Sequence, residues 1–300
     1  MDEGQIQQVR SFNRALTRRI GVLGDNYLER GRPLAESRLL FEIGRDGADV
    51  RELRARLSLD SGYLSRLLRA LEGQGLVKSH PAAADARVRR ATLTRKGLRE
   101  FEALDQRSQG LAISLLAPLG SAQRARMIEA MAEVERLLRA AAVVIVPADP
   151  DGADARACID AYLGELDRTF ENGFDPAQGP SAKPEELVPP VGLFLLARLD
   201  HEAVGCAALK LIARGVGEIK RMWVAPSARG LGVAQRLLEA LEQHAAATGL
   251  RTLRLDTHRS LEAARAMYLR NGYREIPAYN DNPYAHHWFE KRIGPQRRAA

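Results

Sequence analysis

The run Arg229-Gly230-Leu231-Gly232-Val233-Ala234 has the residue types and spacing to hold a phosphate. It follows a strand-like stretch, Glu218 to Val224, crosses a turn at Ala225-Pro226-Ser227, and opens a helical stretch from Gln235 to Ala247. Small residues at 230, 232 and 234 let the backbone come close to a ligand, and the first turn of the helix has unbonded N–H groups at its positive end. Arg229 adds a full charge. On the other face Val233, Leu237, Leu238, Leu241 and Ala245 recur at helical spacing and bury the helix. A pyrophosphate suits such a turn. A tight strand-to-helix connection without any ligand has the same local pattern.

The flanks distinguish the two. Trp223-Val224-Ala225-Pro226 before the turn, and Ala264-Arg265-Ala266-Met267-Tyr268-Leu269-Arg270-Asn271-Gly272-Tyr273 after it, resemble the coenzyme A signature of the GNAT family of N-acetyltransferases. The resemblance runs from about Val143 to Arg292. It implies acetyl-CoA as co-substrate, with the backbone of Trp223 and Val224 along the pantetheine arm and residues Arg229, Gly230, Leu231, Gly232, Val233 and Ala234 around the pyrophosphate. Acetyl transfer to an amine requires an anchored thioester, a neutral amine and a proton for the departing thiolate. Glu218 matches a glutamate that many relatives use as base, while Lys220 and Arg221 beside it leave a salt-bridge role open. Tyr268 matches the family's general acid, and its spacing to Ala264 and Gly272 also fits a core aromatic. Where the family often carries an asparagine seven residues earlier, this chain has Leu261. The proline-rich stretch from Glu171 to Pro190 is read as a functional loop, with Phe170, Asn172 and Phe174 as acceptor contacts or as packing. The segment Tyr279-Asn280-Asp281-Asn282-Pro283-Tyr284, followed by His286-His287-Trp288, is read as a pocket wall or a capped loop.

A second kind of chemistry lies in the first half. Asp60 can cap a helix in which Leu64, Leu67, Leu68 and Leu71 form an apolar face, with Ser61, Ser65, Arg66 and Arg69 opposite. A short helix, a turn and a second helix with small polar and arginine side chains are what a recognition helix in a major groove needs, although an ordinary surface helix shares the pattern. Two strand-like runs follow, Gly75 to His80 and Val88 to Leu93, and Lys78 to Arg99 holds seven basic residues and one acidic one. This helix-turn-helix and basic wing resemble the MarR family of transcriptional regulators, through Leu57 to Glu72, Gly75-Leu76-Val77, Asp85-Ala86-Arg87 and Leu93-Thr94-Arg95-Lys96-Gly97. The resemblance implies double-stranded operator DNA as partner, Asp85 orienting Arg87 at the wing, and a homodimer built by the first helix and the two long helices at 94–116 and 121–140.

These sites need two scaffolds. The net charge of +7 resides wholly in the first half: 25 basic against 18 acidic residues in 1–144, and 20 against 20 in 145–300. An amphipathic helix is expected over Gln5 to Glu29, others over 36–44 and 50–57, and long ones over 94–116 and 121–140. Strand and helix patterns alternate thereafter. The expected organisation is multi-domain: an all-α-dominated winged helix at 1–141, then a mixed α/β GNAT fold at 142–300. Two cysteines and no Cys/His cluster of zinc spacing exclude a disulfide framework and give no metal site. Met1 to Gln5 has neither a basic nor an apolar leader pattern, no run is long enough to span a bilayer, and a cytoplasmic location is expected. The functional expectation is a bifunctional DNA-binding regulator and acetyl-CoA-dependent N-acetyltransferase acting on an amine, with a small molecule as the expected acceptor. The alternative is a regulator whose second domain senses a ligand without turnover.

Overall fold

A computed structural model describes residues 2–22, 27–81 and 88–294. Its contacts divide the chain into two compact units, Met1–Ala130 and Met131–Ala300, with the division inside a helix.

The first unit contains α1 (Glu3–Ile20), α2 (Leu34–Ile43), α3 (Val50–Arg56), α4 (Ser61–Gly73), α5 (Arg95–Leu116) and the start of α6 (Ser121–Ala142). The short strands β1 (Ala48–Asp49), β2 (Val77–Pro81) and β3 (Arg89–Leu93) form an antiparallel sheet in the order β1-β3-β2. The stop of α1 at Ile20, rather than Glu29, follows from Gly21: it takes a left-handed conformation (φ 70) and its N–H closes onto Thr17 O, a standard C-cap. β1 is two residues long, too short to leave any periodicity in the sequence. It is fixed by Arg90, whose guanidinium reaches Asp49 Oδ1 (3.1 Å), Asp46 O (2.8 Å) and Gly47 O (3.0 Å).

The Asp60 carboxylate caps α4 by accepting from the Tyr63 N–H at 2.8 Å, and this sets the helix phase. Leu64, Leu67, Leu68 and Leu71 are thereby buried against Leu39, Leu40, Ile43, Leu53, Leu76 and Leu104. The wing is locked to α5 by Thr94, which donates to Gly75 O (2.7 Å) and accepts from the Gly97 N–H (3.0 Å). Gly97 is obligatory there, since a Cβ would lie 2.0 Å from Leu76 O.

The second unit is built on β4 (Val144–Pro147), α7 (Ala153–Thr169), β5 (Gly192–Leu199), β6 (Glu202–Ala213), β7 (Val216–Val224), α8 (Val233–Ala247), β8 (Thr252–Thr257), α9 (Glu262–Arg270), β9 (Arg274–Ile276) and β10 (His287–Arg292). The sheet order is β4-β5-β6-β7-β8-β10-β9, antiparallel except for the parallel β7/β8 pair. β5 reads as an unbroken apolar run because both its faces are covered. Leu193, Leu195, Ala197 and Leu199 meet Leu237, Leu238 and Leu241 of α8, while Phe194 and Leu196 meet Ala155, Cys158 and Ile159 of α7.

Neither α1 nor α6 contains a buried residue. Val9, Phe12, Leu137 and Leu138 are 60%, 46%, 52% and 66% exposed, so these helices present apolar faces that the described residues leave uncovered. Among the described residues no helix is long and apolar enough to cross a membrane.

Candidate functional site

The glycine turn leaves β7 at Val224, makes one short helical turn over Pro226–Ala228, and enters α8 at Val233. Gly230 and Gly232 have φ of 77 and 73, a region other residues avoid, and open space surrounds the position a Cβ would take at each. No side chain caps α8, so its first N–H groups point into that space. Arg229 is already engaged. Its Nη2 donates to both Glu165 carboxylate oxygens at 2.6 Å, and its Nε donates to Val224 O at 3.1 Å. Glu165 also accepts from the Trp223 indole N–H at 2.8 Å. Burial opposes the Glu165 charge, but the Trp223 and Arg229 donors outweigh it and hold the carboxyl below its usual range. Leu231 is buried and Ala234 packs against the core, so in both it is the backbone that faces outward.

β7 and β8 pair only at Val216/Thr252, Gly217/Leu253 and Glu218/Arg254. Beyond Glu218, β7 carries a bulge opposite Cys206 to Ala208, with Arg221 at φ 55, and the two parallel strands separate. The edge of residues 219–224 that faces β8 therefore has no ladder partner, and Trp223 and Val224 lie on it. A cavity fills the gap, lined by Ile219, Lys220 and Met222 of β7, Asp256 and His258 at the end of β8, and Tyr268 of α9, among others.

Tyr268 is buried and packs edge-on to Tyr273 at 5.8 Å. Burial raises its pKa well above the ordinary phenol value, so the hydroxyl stays protonated in the cavity wall. Glu218 does not line the cavity. Its Oε1 accepts from Tyr279 Oη (2.7 Å) and Asn280 Nδ2 (3.3 Å) and lies 3.1 Å from Lys220 Nζ. The same ammonium reaches Asp256 Oδ2 at 3.1 Å, and Asp256 also accepts from Asn280 (2.8 Å) and Asn282 (2.9 Å). Asp256, rather than Glu218, is the carboxylate at the cavity wall. The 279–284 segment is thus a pocket wall, tied to the sheet by the Trp288 N–H to Asn280 Oδ1 bond at 2.8 Å.

An aromatic cluster forms the mouth. Phe170 stacks on His258 (3.9 Å, 22°), Phe174 lies 4.8 Å from Tyr284, and His258 meets His286 edge-on at 4.5 Å. Phe170 and Phe174 line the cavity, whereas Asn172 lines only the outer depression beside it. His258 has its pKa lowered by burial first and then by His286 and Arg259. Its Nδ1 lies 3.1 Å from the Ser260 N–H, which places the neutral ring's proton on Nε2. Neither Asp256 nor His258 was singled out in the sequence. Leu261 also lines the cavity, at the start of α9. Among the described residues no group of three His, Cys, Asp or Glu side chains could hold a metal ion.

In the first unit, Ser61, Ser65, Arg66 and Arg69 are all exposed on one side of α4, opposite its buried leucines. Ser65 Oγ donates to Ser61 O (2.7 Å), Arg69 Nε donates to Ser65 O (3.2 Å), and the Arg66 guanidinium lies over the Tyr63 ring at 5.6 Å. No carboxylate pairs with Arg66 or Arg69 among the described residues. Asp85 and Arg87 lie outside the described residues.

Residues 159–273 match the model of the acetyltransferase (GNAT) family, and residues 30–88 match that of the MarR family. An IAA acetyltransferase of Azospirillum brasilense is 37% identical over 116 residues, 38% of this chain and 71% of that protein. An uncharacterized N-acetyltransferase of Schizosaccharomyces pombe is 33% identical over 144 residues, 47% of this chain and 85% of that protein. A Thermoplasma acidophilum N-acetyltransferase solved in complex with coenzyme A superposes at a TM-score of 0.41, is 19% identical, and covers 50% of this chain and 98% of that one. The chain belongs to the GNAT acetyltransferase family and carries a MarR family domain ahead of its acetyltransferase domain.

Proposed function

We propose that the protein is a DNA-binding transcriptional regulator and an acetyl-CoA-dependent N-acetyltransferase that acetylates an amine, with a winged-helix domain at 1–141 and the acetyltransferase domain at 142–300. The observation that carries the enzymatic half is the pair of left-handed glycines, Gly230 and Gly232, opening onto the uncapped start of α8 beside a strand edge that leads to Tyr268. In this reading the N–H groups of Gly230 and of residues 232–234 hold the pyrophosphate, and the free edge of Trp223 and Val224 holds the pantetheine arm. The amine enters past Phe170 and Phe174. Asp256 meets the incoming ammonium as base, and Glu218, the base that the family resemblance implies, stands behind it with Lys220 and Asn280 donating to both carboxylates. The ammonium gives a proton to Asp256, the neutral amine nitrogen attacks the thioester carbonyl, the carbon–sulfur bond breaks as Tyr268 gives its proton to the thiolate, and the acetylated nitrogen then loses its extra proton, which restores the tyrosine hydroxyl. No step uses a metal.

Gly232→Asp tests the cofactor site. A carboxylate at φ 73 is strained and meets the phosphate, so calorimetric acetyl-CoA binding should be lost while the first domain's DNA binding persists. Equal dissociation constants would remove the loop from the site.

For the regulatory half, the reading rests on Arg66 and Arg69, which pair with no carboxylate among the described residues, beside Ser61 and Ser65, and on the family resemblance that gives Asp85 and Arg87 their part in DNA contact. Two copies on a pseudo-palindromic operator follow if the bare faces of α1 and α6 pair between chains. Buried free thiols at Cys158 and Cys206, and DNA as partner, suit a cytoplasmic location. A sensor without turnover is favoured by one observation, the engagement of Glu218 by Tyr279 and Lys220.

A further inference from the structure

The C-terminal turns of α6 lie against the glycine turn. Arg136 Nη1 donates to Gly230 O at 2.7 Å, Arg139 Nη2 donates to Ser227 O at 3.3 Å, and in return Arg236 Nη1, on the first turn of α8, donates to Ala140 O at 3.0 Å. Arg136 is itself held. Its Nε and Nη2 donate to the Glu133 carboxylate at 2.8 and 2.6 Å, a two-point clamp one turn back on the same helix.

The peptide that Arg136 grips, between Gly230 and Leu231, is free of a Cβ barrier on its Gly230 side, where the backbone is left-handed (φ 77) and open space surrounds the Cβ position. Its carbonyl is bound by Arg136 and its N–H by Ala228 O at 3.4 Å. If that peptide turned over, the carbonyl would swing toward the space where the N–H groups of α8 collect an anion, and a negative dipole would face the phosphates. Holding the carbonyl away keeps the concavity positive.

We propose that Arg136, clamped by Glu133, is a positioning residue for the cofactor site: it fixes the Gly230–Leu231 peptide in its anion-binding orientation, and the end of α6 is thereby a working part of the acetyl-CoA loop. The proposal rests on the reading of this loop as the pyrophosphate site. It assigns Arg136 no contact with the acetyl group or the acceptor, so it acts on phosphate binding alone.

The test compares the full-length wild type with Arg136→Ala and Arg136→Lys, using acetyl-CoA and S-acetylpantetheine, a thioester that lacks the pyrophosphate. Arg136→Ala should raise the KM for acetyl-CoA roughly three- to tenfold, for loss of one charge-assisted and partly exposed hydrogen bond, with kcat unchanged. Its kcat/KM for S-acetylpantetheine should equal that of the wild type. Arg136→Lys keeps a donor at Gly230 O and should recover part of the loss. A fall with both thioesters would mean general damage and overturn the proposal, as would an unchanged KM for acetyl-CoA. If instead the wild type neither binds nor uses acetyl-CoA, the reading of the loop as a cofactor site fails, an outcome distinct from a wild-type enzyme indifferent to Arg136.

Discussion

Arg229 and Glu165 form a two-point pair, the guanidinium of the glycine turn lying 2.6 Å from both carboxylate oxygens of a residue on α7. The positive charge expected to face the cofactor's phosphates is therefore already paired with a carboxylate before any ligand arrives. The pair also explains the indole orientation of Trp223, which donates to the same carboxylate.

Glu165→Gln removes that compensating charge and keeps an acceptor for Trp223. Acetyl-CoA should bind roughly two- to fivefold more tightly, since Arg229 is half exposed and its pair is worth no more than an exposed ion pair, and the dependence on salt should steepen. Calorimetric titration at two salt concentrations checks both. Weaker binding would mean that the pair holds the loop in shape.

Glu100 ties Arg30 and Arg32 to α5, with Arg30 donating through Nε at 2.9 Å and through Nη2 at 2.6 Å. The hydrogen bond from Arg30, helped by Arg32 and opposed by burial, holds the Glu100 carboxyl below its ordinary value of 4.5. A carboxyl depressed in the folded state stabilises above its unfolded pKa, and the contribution is lost as pH falls through the folded value. Glu100→Gln should therefore lower unfolding free energy by about 1–3 kcal/mol at pH 7, with the gap to wild type closing below about pH 4. Urea denaturation across that range is the measurement. A gap independent of pH would deny the charge a role.

Arg66→Ala should cost about 1–3 kcal/mol of operator affinity and relax the preference among sites, because the exposed face of α4 is read as the base-contacting one. Arg69→Ala, read as a phosphate contact, should weaken all sequences alike and lower the salt slope by about one. Fluorescence anisotropy with operator and scrambled duplexes separates the two effects.

Much of the fold was legible because single residues enforce it. Asp60 and Thr94 start helices as caps, Leu64 to Leu71 give the helical period, and Gly230 and Gly232 mark a turn that other residues avoid. The end of α1 was overrun because its apolar spacing carries on through Leu23 and Tyr27, whereas the chain turns at Gly21. Asp256 and His258 were missed for another reason. Nothing local distinguishes them from other polar residues at a strand end, and they become a site only through the β7 bulge at Arg221 and the return of Asn280, Asn282 and Tyr284 from later in the chain. The same nonlocal packing turns Glu218 away from the cavity and toward Lys220 and Tyr279.

Acetyl transfer itself is the most direct test of the account. The wild type and Tyr268→Phe are incubated with acetyl-CoA and an amine library, and products are read by mass spectrometry alongside the release of free thiol. The wild type should convert at least one amine to its acetamide with equal release of coenzyme A. Tyr268→Phe should bind acetyl-CoA as well as the wild type and turn over roughly 10²-fold more slowly, since only the proton donor is gone. Wild-type protein that binds acetyl-CoA but acetylates no amine, or a phenylalanine variant with unchanged kcat, would contradict it.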